Sequence, residues 1–426
     1  MLEVPHLETA QTGPLLALEQ KILDAQVSIE SWFREQWQKT PPPFYGSVDL
    51  RNAGFKLAPV DTNLFPAGFN NLNPEMMALC VQAVQSTMAE KCACARRLLV
   101  IPESHTRNLF YFENLAMLCE ILARAGFEVR VGSLIPELTE PAHQVLPSGR
   151  EILLEPLITK NNLIGVENYF PCCIVLNNDL SSGIPDIFKN TKQVFMPPVE
   201  LGWSTRLKST HFSRYHEVAE AFSKVIDIDP WMIDPYFDHC GEVDFSQKES
   251  LDCLTDHASI LFERIRKKYI EYHIDQSPFL VVKADQGTYG MAVMMIKDPS
   301  ELLQLNRKQR NRMSASKGGN PVTKTIIQEG VYTFETVGED RSVAEPVVYH
   351  IGRHVVGGFY RIHKNRSIDE NLNAPGMNFQ PLAFSKNCHL PPCAKIATQK
   401  PVNRFYAYGV VGRLAMVAAA REGASI

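Results

Sequence analysis

A lysine followed by an aspartate and two glycines is the pattern in this chain most able to do chemistry. Lys283 ends the β-branched run FLVVK, and Asp285, Gly287 and Gly290 follow it closely. A lysine at the end of a buried strand brings a point charge to an anion, and glycines let backbone N–H groups approach anionic oxygens. The pattern is compatible with a phosphate-binding loop. The segment alone leaves open a hairpin with a glycine turn and a water-facing lysine.

A second set of oxygen ligands lies far upstream, at the end of the predicted strand FKLAPVD. Asp61 and Asn63 alternate along the chain, so both side chains face one side. A carboxylate with an amide carbonyl suits Mg²⁺, which keeps other positions for water and phosphate. The earlier Arg51 offers a bidentate fork for a substrate carboxylate. Alternatively, Asp61 and Asn63 bind turn backbone groups, and Arg51 forms a surface ion pair.

A third pattern is a strand that ends in an acidic residue and a glycine. The segment TKTIIQEGVYTF reaches Glu329 and continues through Gly330 to Val331. Backbone groups beside Glu329 and Val331 are able to hydrogen-bond the edge of an adenine ring against an apolar wall. An edge strand with a solvated glutamate explains the same residues equally well.

The elements that must position these residues are of mixed α/β type. A helix is predicted from Thr12 to Gln38, then an irregular segment from Pro41 to Pro74. Further strands and helices alternate in RRLLVIPES, Asn108 to Ala125, GFEVRVGSL, CCIVLNND, KQVFMPPV and His216 to Val225. This alternation predicts a doubly wound-like α/β substrate domain with a parallel sheet.

The C-terminal part is predicted to hold the lysine loop and its surroundings. A long amphipathic helix spans Lys248 to Tyr272, and a Gly352-Arg353 turn joins the strands EPVVYHIG and RHVVGGFYRIH. The basic stretch from Arg307 to Gly319 is predicted to be a solvated helix face followed by a loop, with a mobile lid as the second alternative. The expected domains are residues 1–95 with the metal and substrate segment, 96–230, and 231–426 with the lid.

Composition limits the classes of function. The chain has 426 residues, 45% of them hydrophobic and 21% charged, with a formal charge of −4. These values predict about two or three globular domains and argue against a nucleic-acid binder, which usually carries a basic domain. Neither a signal peptide nor an apolar run of about 18 residues is recognisable, so we expect a cytoplasmic protein without membrane contact. The expected partners are small molecules, and a homo-oligomer is compatible with the chain.

Ten cysteines in a chain of this size do not indicate a disulfide framework. We expect most of them to be reduced and buried. The groupings Cys92-Ala-Cys94 and Cys388-His389 with Cys393 fit no standard zinc spacing, and no second matching pair follows at a plausible distance. The sequence therefore predicts no zinc site.

Several longer segments resemble a known family. VDTNLFPAGFNNL, KADQGTYG, IIQEGV and VVGGFYRIHKNRSIDENLNAPGMNF resemble the proteobacterial type of glutamate–cysteine ligase, and the likeness extends over nearly the whole chain. Locally the chain also resembles eukaryotic glutathione synthetase, an ATP-grasp enzyme whose chain is circularly permuted. The resemblance implies an ATP-grasp-like, circularly permuted fold, in which the acidic-x-Asn metal strand precedes the ATP lysine.

The resemblance also implies roles for individual residues. Magnesium ligands are expected at Asp61 and Asn63, with Asp285 as a candidate third ligand. Substrate and phosphate contacts are expected at Arg51, Lys283 and Arg361, of which Arg361 holds a substrate carboxylate. The residues expected to bind ATP are Lys283, Gly287, Tyr289, Gly290, Gln328, Glu329, Val331, Asn371 and Asn373, the last two in a flap.

The activity implied by the resemblance is ATP- and Mg²⁺-dependent ligation of L-glutamate to L-cysteine. ATP converts the γ-carboxylate to an acyl phosphate, and the cysteine amine attacks it to give γ-glutamylcysteine, ADP and phosphate, the first step of glutathione biosynthesis. Another ATP-grasp carboxylate–amine ligase, such as glutathione synthetase, is the nearest alternative. A non-catalytic nucleotide sensor is another, although retention of candidate metal ligands beside Lys283 argues against it.

Overall fold

The computed structural model describes residues 14–104, 108–287, 292–314, 322–382 and 404–425. Its α-helices are α1 Pro14–Asp24, α2 Gln26–Lys39, α3 Met77–Lys91, α4 Leu109–Arg124, α5 Lys208–Ile226, α6 Lys248–Glu271, α7 Arg307–Met313 and α8 Arg404–Gly423. Its strands are β1 Tyr45–Asn52, β2 Leu57–Asn63, β3 Arg97–Pro102, β4 Glu128–Ser133, β5 Ala142–Val145, β6 Glu151–Pro156, β7 Ile158–Lys160, β8 Leu163–Gly165, β9 Cys173–Asn177, β10 Val194–Met196, β11 Phe237–Cys240, β12 Leu280–Ala284, β13 Val293–Ile296, β14 Thr325–Glu329, β15 Glu335–Val337, β16 Ser342–Ile351, β17 His354–His363 and β18 Asn378–Pro381.

The central sheet is antiparallel and has the strand order β18-β17-β16-β1-β2, with β15 paired to β16. Side chains alternate between its two faces. On one face Val48, Leu50 and Val348 pack in one apolar cluster with α8. A Cβ atom added at Gly412 would lie 2.7 Å from His350 Nε2, so this glycine lets α8 approach β16 closely. The opposite face carries charged residues.

A second sheet has the strand order β10-β9-β3-β4-β6-β5 and is parallel except for the β5–β6 pair. Alternate residues of β3 enter different apolar clusters. Leu98 and Val100 pack with α3 and α4, whereas Leu99 and Ile101 pack with α5. Both faces of the sheet are therefore covered, which explains the continuous apolar runs in its strands.

A smaller antiparallel sheet, β11-β14-β12-β13, carries the lysine loop. Its strands pack against α6, with Val282 and Ile327 in the same apolar cluster as Leu254 and Leu261. Strands β7 and β8 form a separate hairpin. Among the described residues, no helix is long and apolar enough to cross a membrane.

Most predicted elements are present, and the exceptions have physical reasons. The segment from Pro41 to Pro74 was predicted to be irregular apart from the strand FKLAPVD, which corresponds to β2, and it also contains the unpredicted strand β1. In β1, polar residues alternate with Val48 and Leu50, and this polar face is largely buried against charged partners instead of water. The predicted N-terminal helix is divided at Ala25, whose ψ of 8° interrupts it, and α5 begins earlier than predicted, at Lys208.

Helix α8 is attached to the rest of the fold by a buried ion network. Arg206 donates from Nε to Glu422 Oε2 at 2.8 Å and from Nη1 to the Thr62 carbonyl at 2.7 Å, while His211 Nδ1 contacts Glu422 Oε1. Burial acts to raise the pKa of Glu422, but the charge of Arg206 outweighs it and holds the pKa at about 2. The network ties α8 and α5 to β2.

We expect Glu422→Gln to lower the free energy of unfolding at pH 7 by about 3 kcal/mol, because the buried Arg206 loses its counter-ion. Urea denaturation measures this loss. The difference from the wild type should shrink as the pH falls from about 4.5 to about 2, where the native carboxylate keeps a charge that the unfolded chain has lost. Glu217→Gln is the matched control, because Glu217 forms an exposed pair with Arg214 and should cost under about 1 kcal/mol. Equal losses in both variants would contradict the assignment.

Candidate active site

Strands of the central sheet place three carboxylates on the face opposite α8. Asp49 of β1 lies across from Asp61 of β2, and Glu345 of β16 lies across from Arg361 of β17. Asp49 also pairs with Val347, which is on the same face of β16 as Glu345. Because cross-strand partners point to the same side of a sheet, these acidic groups are neighbours.

Two arginines hold Glu345 between them. Arg51 Nε donates to Glu345 Oε2 at 3.1 Å, and Arg361 Nη1 donates to Glu345 Oε1. Arg51 also donates from Nη1 to the Val331 carbonyl at 3.1 Å and from Nη2 to the Glu370 carbonyl. Arg51 is therefore a buried brace between several segments, and the surface ion pair that the sequence left open for it is wrong.

Arg361 has a second acidic neighbour and an unused donor. Its Nη1 donates to Asp49 Oδ2 at 2.9 Å. Its Nε is buried and has no hydrogen-bond partner within the described residues. Burial raises the pKa of Asp49, and the charges of Glu345 and Asp61 raise it further, although Arg361 opposes the shift. Asp49 is therefore incompletely neutralised by its cationic neighbour, and Arg361 has one donor without an acceptor among the described residues.

Asp61 is ionised and has one uncommitted oxygen. Its Oδ1 accepts hydrogen bonds from Lys208 Nζ at 3.2 Å and from the Thr62 N–H at 3.1 Å, and its Oδ2 has no hydrogen-bond partner in the part of the chain that the structure describes. Burial acts to raise the pKa of Asp61, but the charges of Lys208 and Lys283 outweigh it and hold the pKa at about 2. The side chain is 37% exposed, so Oδ2 is open to a ligand.

Asn63 is on the same side of β2 as Asp61. Its Oδ1 accepts the Phe65 N–H at 2.9 Å, which is the turn contact that the sequence left open as an alternative. An amide oxygen has two lone pairs, so this contact leaves one available.

Lys283 reaches the same place from the small sheet. Its Nζ donates to the Val60 carbonyl at 2.8 Å and to Gln328 Oε1 at 2.7 Å. The ammonium group is therefore held beside Asp61 and does not face water. Burial lowers the pKa of Lys283 to about 8, although the charge of Asp61 opposes the shift. Gln328 Nε2 is buried and without a hydrogen-bond partner among the described residues.

Glu329 is fully buried beneath this site. Its carboxylate accepts hydrogen bonds from Lys56 Nζ at 2.6 Å, from Trp231 Nε1 at 3.0 Å and from the Tyr236 N–H at 2.9 Å. The solvated edge glutamate that the sequence left open is thus wrong. Lys56 is itself fully buried and lies 4.3 Å from the centre of the Trp231 ring.

Part of the backbone of the predicted adenine hinge is already hydrogen-bonded to other protein groups. The Glu329 N–H donates to the Tyr236 carbonyl at 2.7 Å, and the Gly330 N–H donates to the Phe279 carbonyl at 2.8 Å. The Val331 carbonyl is held by Arg51. The Val331 N–H makes no hydrogen bond within the described residues, so it is the hinge donor left for a base.

The Asp285 carboxylate contacts the start of α5. Its two carboxylate oxygens accept hydrogen bonds from the Ser209 N–H at 2.7 Å and from Ser209 Oγ at 2.6 Å. Its carbonyl accepts the Lys208 N–H at 2.8 Å. The structure therefore shows Asp285 fixing the helix that delivers Lys208, and its role as a third metal ligand stays a prediction.

The remaining predicted residues belong to loops. Gly287 has a φ of 91°, a conformation that favours glycine. Tyr289 and Gly290 lie outside the described residues. In the predicted flap, Asn371 Oδ1 accepts the Asn373 N–H at 2.9 Å, which closes a local turn. The same loop is joined to the central sheet through the Arg51 contact with Glu370.

The comparison with known proteins decides the family. The family profile GshA, described as glutamate–cysteine ligase, matches residues 19–423. The chain belongs to this ligase family. A crystal structure from Methylobacillus flagellatus KT, assigned as a gamma-glutamylcysteine synthetase, is 54% identical, has a TM-score of 0.90 and covers 99% of each chain.

Two other solved structures align too loosely to carry an argument. A glutathione synthetase-like effector from Globodera pallida has 8% identity and a TM-score of 0.37 over 87% of this chain and 81% of its own. D-alanyl-alanine synthetase A from Vibrio cholerae has 10% identity and a TM-score of 0.33 over 74% and 79%. No curated protein matches the chain.

The family confirms two predictions from the sequence. The ligase is a glutamate–cysteine ligase, and membership of the family implies that it uses ATP. The predicted mixed α/β class is likewise confirmed by the described sheets and helices.

Three charged groups of the candidate site were missed by sequence reasoning. Asp49 alternates with Arg51 on β1, a signal that was available once β1 was recognised as a strand. Glu345 is the single acidic residue in the fully buried strand SVAEPVVYHI, and such a charge requires a buried partner. Lys208 begins α5, and its ammonium lies 3.8 Å from the centre of the Trp203 ring. No motif marks it.

The donor set of the site fits a hard cation and an anionic nucleotide. Asp61 Oδ2, the amide oxygen of Asn63 and the neighbouring Asp49 are oxygen ligands of the kind that Mg²⁺ prefers. Lys283 and the unpartnered Nε2 of Gln328 are donors of the kind that phosphate oxygens accept from.

We expect Glu345→Gln to lower the free energy of unfolding by about 3 kcal/mol, because it removes the charge that two buried arginines share. Urea denaturation at pH 7 measures this loss. Glu339→Gln is the control, because Glu339 lies in the exposed turn between β15 and β16, and its change should stay within about 0.5 kcal/mol. A Glu345→Gln protein as stable as the control would contradict the described network.

Proposed function

We propose that the ligase activates the γ-carboxylate of glutamate with ATP and then transfers the acyl group to cysteine. A carboxylate oxygen attacks the γ-phosphorus of ATP, and ADP leaves. The cysteine amine attacks the acyl carbon, the bond to phosphate breaks, and the amine loses its proton as γ-glutamylcysteine forms. This pathway needs no nucleophile from the protein, only groups that position reactants and stabilise charge.

The observation that carries this proposal is the contact between Lys283 and the strand of Asp61. The two segments are 223 residues apart in sequence, yet Lys283 Nζ donates to the Val60 carbonyl at 2.8 Å. The contact supports a single site in which a phosphate-binding cation and a metal-binding carboxylate face the same ligand. This arrangement suits phosphoryl transfer.

The same contact supports a circularly permuted, ATP-grasp-like fold. In an unpermuted chain the acidic-x-Asn strand follows the lysine, whereas here Asp61 and Asn63 precede Lys283 and lie in a different sheet. We assign residues 231–426 to the ATP-grasp domain, residues 96–230 to a doubly wound-like substrate domain, and residues 1–95 to the metal and substrate segment.

Mg²⁺ would be held by Asp61 and Asn63, with Asp285 as the third ligand predicted from the sequence and Asp49 as the alternative that the register supports. When bound, it would neutralise charge on the phosphates. Lys208 contacts only Oδ1 of Asp61, so Oδ2 remains available to the metal ion. Lys283 supplies a second positive charge beside Asp61. Because Lys283 is buried, its charge interacts more strongly with phosphate than it would in water.

The two arginines have different proposed roles. Arg361 keeps a buried, unpaired Nε donor and is the better placed of the two to bind a carboxylate. Arg51 donates hydrogen bonds to protein acceptors from Nε, Nη1 and Nη2, so it holds Glu345 and the Val331 hinge in place. Gly287, Tyr289, Gly290, Gln328, Glu329 and the flap asparagines complete the proposed nucleotide contacts.

The expected setting of the reaction is the cytoplasm, with ATP, glutamate and cysteine as partners and without nucleic acid. The basic helix α7 is exposed at Arg307, Lys308 and Arg312, as a solvated face requires. Residues 315–321 lie outside the described chain, so a lid over the phosphates stays a prediction.

The substrate proposal predicts that ADP release requires both amino acids. Purified protein with ATP and Mg²⁺ should release ADP with glutamate plus cysteine, and at least about tenfold less with either alone or with cysteine replaced by another amino acid. Release that requires glutamate and a different amine would overturn the cysteine assignment. Absence of ADP release with every pair would overturn the ligase proposal.

The metal proposal predicts that Asp61→Asn lowers kcat by on the order of 10²-fold or more, because charge stabilisation at the phosphoryl group is lost. The substitution keeps the size of the side chain but removes the negative charge beside Lys208 and Lys283, so the melting temperature should also fall, and kcat is measured well below it, where the variant is folded. Asp186→Asn is the control, because Asp186 is exposed and forms a surface pair with Lys189. Full activity in Asp61→Asn would remove Asp61 from the site.

The phosphate proposal predicts a fall in kcat/KM for ATP as the pH rises through about 8, because Lys283 loses its charge there in the free enzyme. Arginine does not deprotonate in this range. Lys283→Arg should therefore be less active at pH 7 but should lose the alkaline decline at saturating glutamate and cysteine. If kcat/KM for ATP still falls above pH 8 in Lys283→Arg, the decline belongs to another group.

A further inference from the structure

Cysteine side chains from two distant segments meet at one edge of the parallel sheet. Cys92 is the residue after α3, and Cys94 follows it in a turn. Cys172 precedes β9, and Cys173 is the first residue of that strand. The Sγ atoms of Cys92, Cys172 and Cys173 all lie within 4.8 Å of one another.

The sulfur distances match the geometry of thiolates around one metal ion. Cys92 Sγ lies 3.9 Å from Cys172 Sγ and 4.0 Å from Cys94 Sγ, and Cys172 Sγ lies 3.8 Å from Cys173 Sγ. Tetrahedral zinc with Zn–S bonds of about 2.3 Å has sulfur atoms about 3.8 Å apart. The sulfur atoms of Cys92, Cys172 and Cys173 are therefore close to this arrangement, whereas Cys94 is near Cys92 and has to move towards the other two to complete the coordination shell.

The backbone fixes both cysteine segments in place. The Cys92 N–H donates to the Met88 carbonyl at 2.9 Å, and the Cys92 carbonyl accepts the Ala95 N–H at 3.0 Å. The Cys172 carbonyl accepts the Val194 N–H at 3.0 Å, and Cys173 pairs with residues of β3 and β10. Thiols held in place by two such segments lose little conformational entropy when they bind an ion.

The cluster is open on one side and closed on the other. Cys94 and Cys172 are exposed, Cys92 is partly buried and Cys173 is fully buried. Adjacent residues of a strand normally point to opposite faces, yet the sulfurs of Cys172 and Cys173 turn towards one point because Cys172 lies in a bend before β9. An ion can therefore enter from solvent and bind to a buried sulfur.

We propose that Cys92, Cys172 and Cys173 form a binding site for a thiophilic divalent metal ion such as zinc, with Cys94 as the fourth ligand. The ligand types are soft thiolates, which select zinc over the magnesium of the ligase site. The site is independent of the proposed ligase chemistry. The sequence predicted no zinc site because no second pair of cysteines was found in it to join Cys92 and Cys94. The proposal differs because the fold brings Cys172 and Cys173 to them.

A disulfide between Cys92 and Cys172 is the competing use of the same thiols. A third thiol and a fourth beside it are not needed for a disulfide but are needed to fill a metal coordination shell.

The test is metal titration of the full chain, reduced and freed of metal, with Cd²⁺ as a spectroscopic probe and Zn²⁺ as its competitor. We expect one Cd²⁺ per chain with thiolate-to-metal charge-transfer absorption, displacement by Zn²⁺, and a rise in melting temperature. The variant Cys172→Ser/Cys173→Ser should lose the absorption and the temperature shift. Cys253→Ser is the matched control, because Cys253 lies 3.6 Å from Cys240 in an isolated pair of thiols, and it should bind as the wild type does.

Three results would overturn the proposal. The first is Cd²⁺ binding that is equal in the wild type and in the double variant. The second is loss of the signal in Cys253→Ser. The third is a protein that takes up no metal after reduction and shows, by mass spectrometry under non-reducing conditions, a Cys92–Cys172 disulfide. Ligase activity that is equal in the wild type and the double variant would keep the metal site separate from the catalytic site.

Discussion

The hydrogen bond from Lys283 Nζ to the Val60 carbonyl is the contact on which the rest of the site depends. It joins the small antiparallel sheet to the edge of the central sheet and fixes an ammonium group beside the Asp61 carboxylate. A buried ammonium is stable only when its donors are occupied and an opposite charge is close. Gln328 and Asp61 meet these two requirements, so the position of Lys283 follows from the pairing of the two sheets.

The same requirement explains the surrounding network. Glu345 is buried because two arginines share its charge, and Arg51 in turn reaches the hinge and the flap loop. Glu329 is buried because Lys56 and Trp231 hold it under the hinge. Each partner comes from a different segment of the chain. The charged site is therefore complete only when the sheets have assembled, and we infer that ligand binding and global stability are coupled through these contacts.

Local pattern predicted the elements of this protein better than their pairing. Strands β3, β4 and β9 and helix α4 were predicted because apolar runs and periodicity are local properties. Strand β1 was missed because its buried face is polar, and only distant partners such as Glu345 make that face favourable. Lys283, Asp61 and Arg361 were predicted through motifs, whereas Asp49 and Lys208 carry no motif and are recognised only by register and distance. The structure places the Asp285 carboxylate on Ser209, a contact that no spacing in the sequence indicates.

The most direct test of the account is a crystal structure of the protein with Mg²⁺ and a non-hydrolysable ATP analogue. We expect the phosphates to contact Lys283 Nζ, the metal ion to bind Asp61 Oδ2 and the base to accept the Val331 N–H. A nucleotide bound at the ends of the parallel strands β3 and β9, with Lys283 still bonded only to Val60 and Gln328, would contradict the central claim.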